Sequence, residues 1–147
     1  MNNMEELKSR YLSLYGNEGC TQNTLLSIES ALGLELPHDF KSIAEFYSGG
    51  SLGGISHHEI AAAGAATNVV DETLRIRNAV GLRKGLVVLA EPPVSIIVLD
   101  VFNTPAVIWC DAVEVENLNS MRFHNAPDLW DRYSDFFAYL LDRESEE

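Results

Sequence analysis

The chain has 147 residues, 46% of them hydrophobic, which is enough apolar material for one ordinary globular domain and too little length for two of comfortable size. Mean hydropathy is −0.02 and the longest apolar runs, 86–90 and 96–99, are strand-sized, which excludes a membrane helix of about 20 residues. Twenty-two acids against ten bases give a net charge of −12, which argues against direct binding to nucleic acid or an anionic membrane surface. The one gathering of bases, Arg75, Arg77, Arg83 and Lys84, is flanked by Asp71, Glu72 and Glu91 and makes no basic patch.

The chain opens Met-Asn-Asn-Met-Glu-Glu, with acids where a secretory signal carries bases and without the arginines of a mitochondrial presequence. Met4, Leu7, Tyr11 and Leu14 repeat at helical spacing and predict a first helix from Asn3 to Tyr15, stopped by Gly16. Thr21 is placed to cap a second helix that carries Leu25, Ile28 and Leu32 on one face and ends at Gly33. Leu36 before Pro37 is pushed out of the helical region, so a third helix is expected from His38 to Ser48, with Phe40, Ile43, Phe46 and Tyr47 inward.

From Ser51 the texture changes. The Gly-rich stretch Ser51–Ser56 predicts a short strand with a tight bend. A helix is expected over Thr67–Val80, with Val69, Val70, Thr73, Leu74 and Val80 towards the core. Leu86–Ala90, Ser95–Asp100 and Ala106–Cys110 read as strands joined by the turns Glu91-Pro92-Pro93 and Asn103-Thr104-Pro105. Val113–Glu116 alternates apolar and acidic residues and predicts a fourth strand with one wet face. A last helix is expected from Pro127 to Arg143, burying Leu129, Trp130, Tyr133, Phe136, Phe137 and Leu140. Helices, then hairpin-linked strands, then a closing helix predict a single α+β domain: a mainly antiparallel sheet with helices packed on one face.

Candidate chemistry is sparse. His57-His58-Glu59 offers ligand types, but a zinc pair sits four apart on a helix, whereas adjacent histidines point to different sides. Solvated loop histidines are expected there, with no metal and no cofactor. Gly49-Gly50-Ser51-Leu52-Gly53-Gly54 follows a helix instead of opening one and lacks the Gly-Lys-Ser/Thr ending of a phosphate-binding loop. Cys20 and Cys110 show no pairing motif and suit a reducing cytoplasm as free thiols. Cys20 has no basic neighbour to activate it, and Cys110 follows Trp109 at the end of an apolar strand, where a thiol fills core space. No nucleophile, base and orienting group stand together, so a small hydrolase is the remote alternative. Trp109 and Trp130 lie in apolar runs and are expected as core anchors.

The order of motifs resembles the SUKH superfamily, the SMI/KNR-like domain. The resemblance rests on Ile28-Glu29, Leu32-Gly33, Leu36-Pro37-His38-Asp39-Phe40-Lys41 and Phe46-Tyr47-Ser48-Gly49-Gly50. It continues with Asn68 and Thr73, Gly81-Leu82-x-x-Gly85 into Leu86–Leu89, Val98-Leu99-Asp100, Val107–Trp109 and the aromatic helix Leu129–Leu140. It covers residues 20–142. Ser48 stands where many relatives carry Asn, and Cys110 separates Trp109 from Asp111, where relatives often place an acid directly after the aromatic. The resemblance implies an α+β fold and no catalysis. Many bacterial members resemble immunity proteins that bind and block a polymorphic or contact-dependent toxin, commonly a nuclease. Fungal members resemble regulators of cell-wall synthesis, which makes a non-catalytic regulatory module the alternative.

A nuclease must be basic to hold phosphate, so its inhibitor gains by presenting carboxylates, and the expected partner is a basic cognate toxin domain. Residues 111–147 hold ten acids against Arg122, Arg132 and Arg143. Asp111, Glu114 and Glu116, together with Asp128, Asp131 and Asp135 on one face of the last helix, are the expected partner-binding patch.

Overall fold

A computed structural model describes residues 3–146. Three helices, α1 (Met4–Tyr15), α2 (Gln22–Leu32) and α3 (His38–Ala44), precede a hairpin of β1 (Gly50–Leu52) and β2 (Ile55–His57). Helix α4 (Val69–Val80) leads into β3 (Leu86–Ala90), β4 (Ser95–Asp100) and β5 (Val107–Asp111). A 3-10 segment (Ala112–Leu118), β6 (Asp128–Trp130) and α5 (Tyr133–Ser145) close the chain. The six strands form one antiparallel sheet in chain order, β1 at one edge and β6 at the other. The architecture is the α+β one that the sequence predicts.

Thr21 caps α2 as its position predicts, its side chain accepting the Thr24 backbone N–H; Asn3 and Asn68, expected inside their helices, stand just before them and cap α1 and α4 by accepting the N–H groups of Glu5 and Asp71. The glycine run is structural. A Cβ on Gly49 would sit 2.4 Å from the His58 carbonyl oxygen, and Gly53-Gly54, with φ of 62° and 75°, form the two-residue turn between β1 and β2.

Alternation along the strands divides the core into two clusters. Val87, Leu89, Ile97, Leu99 and Val107 face α1, α2, α3, α5 and the first turn of α4. There the rings of Tyr11, Phe46, Tyr47 and Phe137 meet with centroids 5.2 to 6.0 Å apart. Leu86, Val88, Ile96, Val98, Ile108 and Cys110 face the other way, against Ile76 of α4, Leu82 and Leu118. Helical cover on one face only is therefore a correction: strands apolar on both sides need both faces covered, and α4 with the 3-10 segment supplies the second.

Four further elements differ from expectation. Helix α3 stops at Ala44 because its tail turns to pair with the chain before α2: Cys20 N–H donates to Ala44 and Glu18 N–H to Phe46. Phe46 and Tyr47 are buried nonetheless. Val113–Glu116 is no strand but part of the 3-10 segment. Both edges of β5 are already taken by β4 and β6, so the chain crosses the end of the sheet with Leu118 buried and Val113 93% exposed. The last helix begins at Tyr133, not Pro127. Asp128–Trp130 pairs with β5 instead, turning Trp130 to the first cluster and leaving Leu129 exposed. In α4 Val69, Val70 and Thr73 are buried as expected, but Ile76 is buried with them in place of Leu74, which is exposed.

Candidate partner-binding surface

The six predicted acids do not share one face. Asp111 ends β5, exposed, and accepts the Asn125 side-chain amide at 2.9 Å. Glu114 is buried: it accepts the backbone N–H groups of His124 and Asn125 and the Asn117 amide. The His124 N–H above all, helped by Asn125, holds its carboxyl below the ordinary value. Glu114 thus braces the loop that returns to β6, and the expectation that it lies on a wet face with Glu116 is corrected. The 3-10 turn sends position 114 inward and Glu116 outward.

Asp128 lies exposed on β6, Asp131 is exposed in the turn after it, and Asp135 is half-buried in the first turn of α5. Their expected place on one helical face is corrected for the reason that shortens the helix: residues 128–130 are extended, and period two replaces period 3.6. The register brings Asp111 and Asp128 together instead. Asp128 pairs with Trp109, and Asp111 is two residues beyond Trp109 on the same strand, so all three share one face.

Neither tryptophan is fully buried. Trp109 and Trp130 are half-buried at the margin of the first cluster, with ring centroids 6.5 Å apart and planes 26° from parallel. Trp109 donates its indole N–H to Ser95 Oγ at 2.9 Å. Trp130 meets Phe136 edge-on at 4.8 Å and Tyr139 at 5.1 Å. Core anchoring is therefore half of their environment; the other half is solvent.

His57 and His58 are not the solvated loop pair expected. His57 is buried on β2 among Tyr47 and Phe136, and burial pushes its pKa down to about 4, which keeps the ring neutral. His58 points the other way. Its ring nitrogens meet Thr67 Oγ1 and Glu91 Oε2, each at 2.9 Å. Ligand atoms of His58, Glu72 and Glu91 lie within 4.8 Å of one another, a grouping that sequence spacing does not reveal because it joins the residue after β2, α4 and the turn after β3. Arg75 donates to both carboxylates and supplies the positive charge at their centre. Burial alone would raise Glu91, but the hydrogen bonds from Arg75 and His58 outweigh it and hold the carboxyl below its ordinary value. The Thr67–His58–Glu91 chain has the order of a catalytic relay, yet its carboxylate is already ion-paired, and its evident work is to tie the 58–68 connection to the sheet. Burial raises the pKa of both free cysteines, Cys110 to about 11, so neither is activated as a thiolate.

What the surface offers chemically is exposed carboxylate beside half-exposed aromatic ring. Among the described residues, Asp111, Glu116, Asp128 and Asp131 form no ion pair. No helix is long and apolar enough to cross a membrane, among the same residues. No curated protein matches the chain. A family model does: the SUKH_5 model, described as SMI1-KNR4 cell-wall, matches residues 1–138. The match spans α1 to the middle of α5, and the chain belongs to the SMI1-KNR4 family of the SUKH superfamily.

Proposed function

We propose that this chain is a cytoplasmic immunity protein that binds a cognate toxin domain, a basic nuclease, one to one and masks it without catalysis. Family membership makes an immunity role the leading candidate. The observation that carries the choice is the acidic exterior: a net charge of −12 with Asp111, Glu116, Asp128 and Asp131 all exposed. Carboxylates outside a stable core complement a surface built to hold phosphate, accelerate its encounter, and repel the nucleic acid that competes for it. The polar clusters are consumed in holding loops, as with the buried Glu114 and with His58 and Arg75 nearer the surface, which supports binding over turnover.

The test is co-purification with the product of the adjacent gene. The expected result is a one-to-one complex that abolishes the toxin's nuclease activity, with excess chain adding nothing. The family description favours one other reading, a regulatory module connected with the cell wall. A gene neighbourhood without a toxin, together with capture of an endogenous partner at cellular concentration, would establish that reading instead.

A further inference from the structure

We infer that the margin of the sheet around Trp109 is a binding surface for arginine side chains of a basic protein segment. The inference rests on the reading of the chain as the inhibitor of a basic partner and assigns that partner's contact chemistry. Trp109 and Asp111 alternate onto one face of β5, and Asp128 of the edge strand β6 stands directly opposite Trp109. Directly opposed residues have Cβ atoms about 4.5–5.5 Å apart, so one indole lies between two carboxylates, one along the strand and one across it. Both acids are exposed.

The ring is held in place before any partner arrives. Its N–H is fixed on Ser95, and its plane is stacked on Trp130, which in turn packs against Tyr139. Half-buried aromatic rings with fixed orientation are the kind of anchor that dominates protein interfaces, because little side-chain entropy is lost on contact.

A guanidinium fits this arrangement better than an ammonium. Its flat face stacks on an indole, while its N–H fork binds carboxylates two at a time; an ammonium supplies the charge without the plane. The fold already uses this chemistry at the other end of the same row. The Arg143 guanidinium carbon lies 5.7 Å from the Tyr139 ring centroid, and its Nη1 donates to the Tyr139 hydroxyl at 3.0 Å. Trp109 with Asp111 and Asp128 repeats the aromatic part of that pairing and adds two negative charges, facing outward.

The chain has two tryptophans, so two indole N–H signals report on the row in a nitrogen-15 NMR spectrum. The probes are hexa-arginine and hexalysine peptides, titrated at low and at physiological salt. The expected result is a shift of the Trp109 indole and of the Asp111 and Asp128 amides with hexa-arginine. Binding should be at least about fivefold weaker with hexalysine, and about fivefold weaker for both peptides in D111N/D128N. Equal affinity for the two peptides, shifts centred elsewhere, or an unchanged D111N/D128N titration would overturn the surface. The same double variant in the toxin co-purification separates the two claims. Toxin capture unaffected by D111N/D128N refutes this surface and leaves the inhibitor reading standing. Failure of the parent chain to capture toxin, with hexa-arginine still mapping to Trp109, refutes the inhibitor reading and leaves the surface.

Discussion

The Val88 backbone N–H donates to Thr73 Oγ1 at 2.8 Å, so a helix side chain satisfies a strand group that no strand reaches. β2 pairs with β3 only at His57 and Ala90, and α4 closes the rest of that edge. Thr73 is fully buried, which leaves the N–H no recourse to water. Thr73→Val keeps the shape and removes the acceptor, and should destabilise the chain by about 1–3 kcal/mol, whereas Thr73→Ser should cost less. Denaturant unfolding measures the difference, and faster hydrogen exchange at Val88 localises it. An unchanged midpoint for Thr73→Val would show that the bond contributes nothing.

Glu114→Gln replaces an acceptor of two backbone N–H groups with a side chain whose amide nitrogen cannot accept either. The folded carboxyl is held below its ordinary value of 4.5, so its contribution is present above that pH and is lost as pH falls through the lower folded value. The melting temperature of Glu114→Gln should therefore lie below that of the parent at neutral pH, and the gap should close on acidification. A gap of constant size from pH 7 to pH 3 would mean that charge is not what the loop requires.

His57 titrates with the opposite logic. Its folded pKa of about 4 lies below the ordinary 6.5, so between those values the unfolded chain binds more protons and stability falls as pH falls. The full loss attributable to this ring is about 3 kcal/mol, reached near pH 4. His57→Phe suits the aromatic surroundings of Tyr47 and Phe136 and should flatten the stability profile between pH 6.5 and 4 relative to the parent. Parallel profiles would place a charged ring in the folded state.

Trp130→Ala should destabilise more than Trp109→Ala, because Trp130 meets both Phe136 and Tyr139 whereas Trp109 meets Trp130 and solvent. Full aromatic burial is worth about 3–5 kcal/mol on truncation, and both half-buried rings should fall at or below the lower end. Thermal melts in parallel with partner binding separate the two roles. Loss of binding at an unchanged midpoint assigns that ring to the interface.

Elements were legible in the sequence where local chemistry decides them, and illegible where a neighbour does. The cap at Thr21 and the strands 86–90 and 95–100 need only their own residues and appear where their patterns place them. Residues 128–130 carry the same apolar marks as a helix start, and only the free edge of β5 at Val107–Trp109 makes them a strand. Glu114 reads as solvated because acids usually are; the backbone groups that draw it inward belong to a loop ten residues on. The grouping of His58 with Glu72, Arg75 and Glu91 joins α4 to the residues just after β2 and β3 and leaves no spacing to read.

The burial of Glu114 also changes which charges can be reversed to examine how a partner is drawn in. A lysine at 114 would break the loop and report on folding. Glu116, Asp128 and Asp131 are exposed, and the 3-10 segment, β6 and the turn before α5 that carry them need no charge there. If a basic toxin domain is steered by these carboxylates, association should slow steeply as salt rises, since the screening length is only about 8 Å at physiological ionic strength. Replacing all three by Lys changes the net charge from −12 to −6, each substitution adding two units. The triple variant should keep the parent's melting temperature, associate about tenfold or more slowly at low salt, and show a flatter salt dependence, with dissociation changed less. Stopped-flow association with the co-purified toxin domain at several salt concentrations measures all of these. A triple variant that associates as fast as the parent with the same salt slope would move the contact away from the β6 end of the sheet, to the opposite edge at Gly50–Glu59.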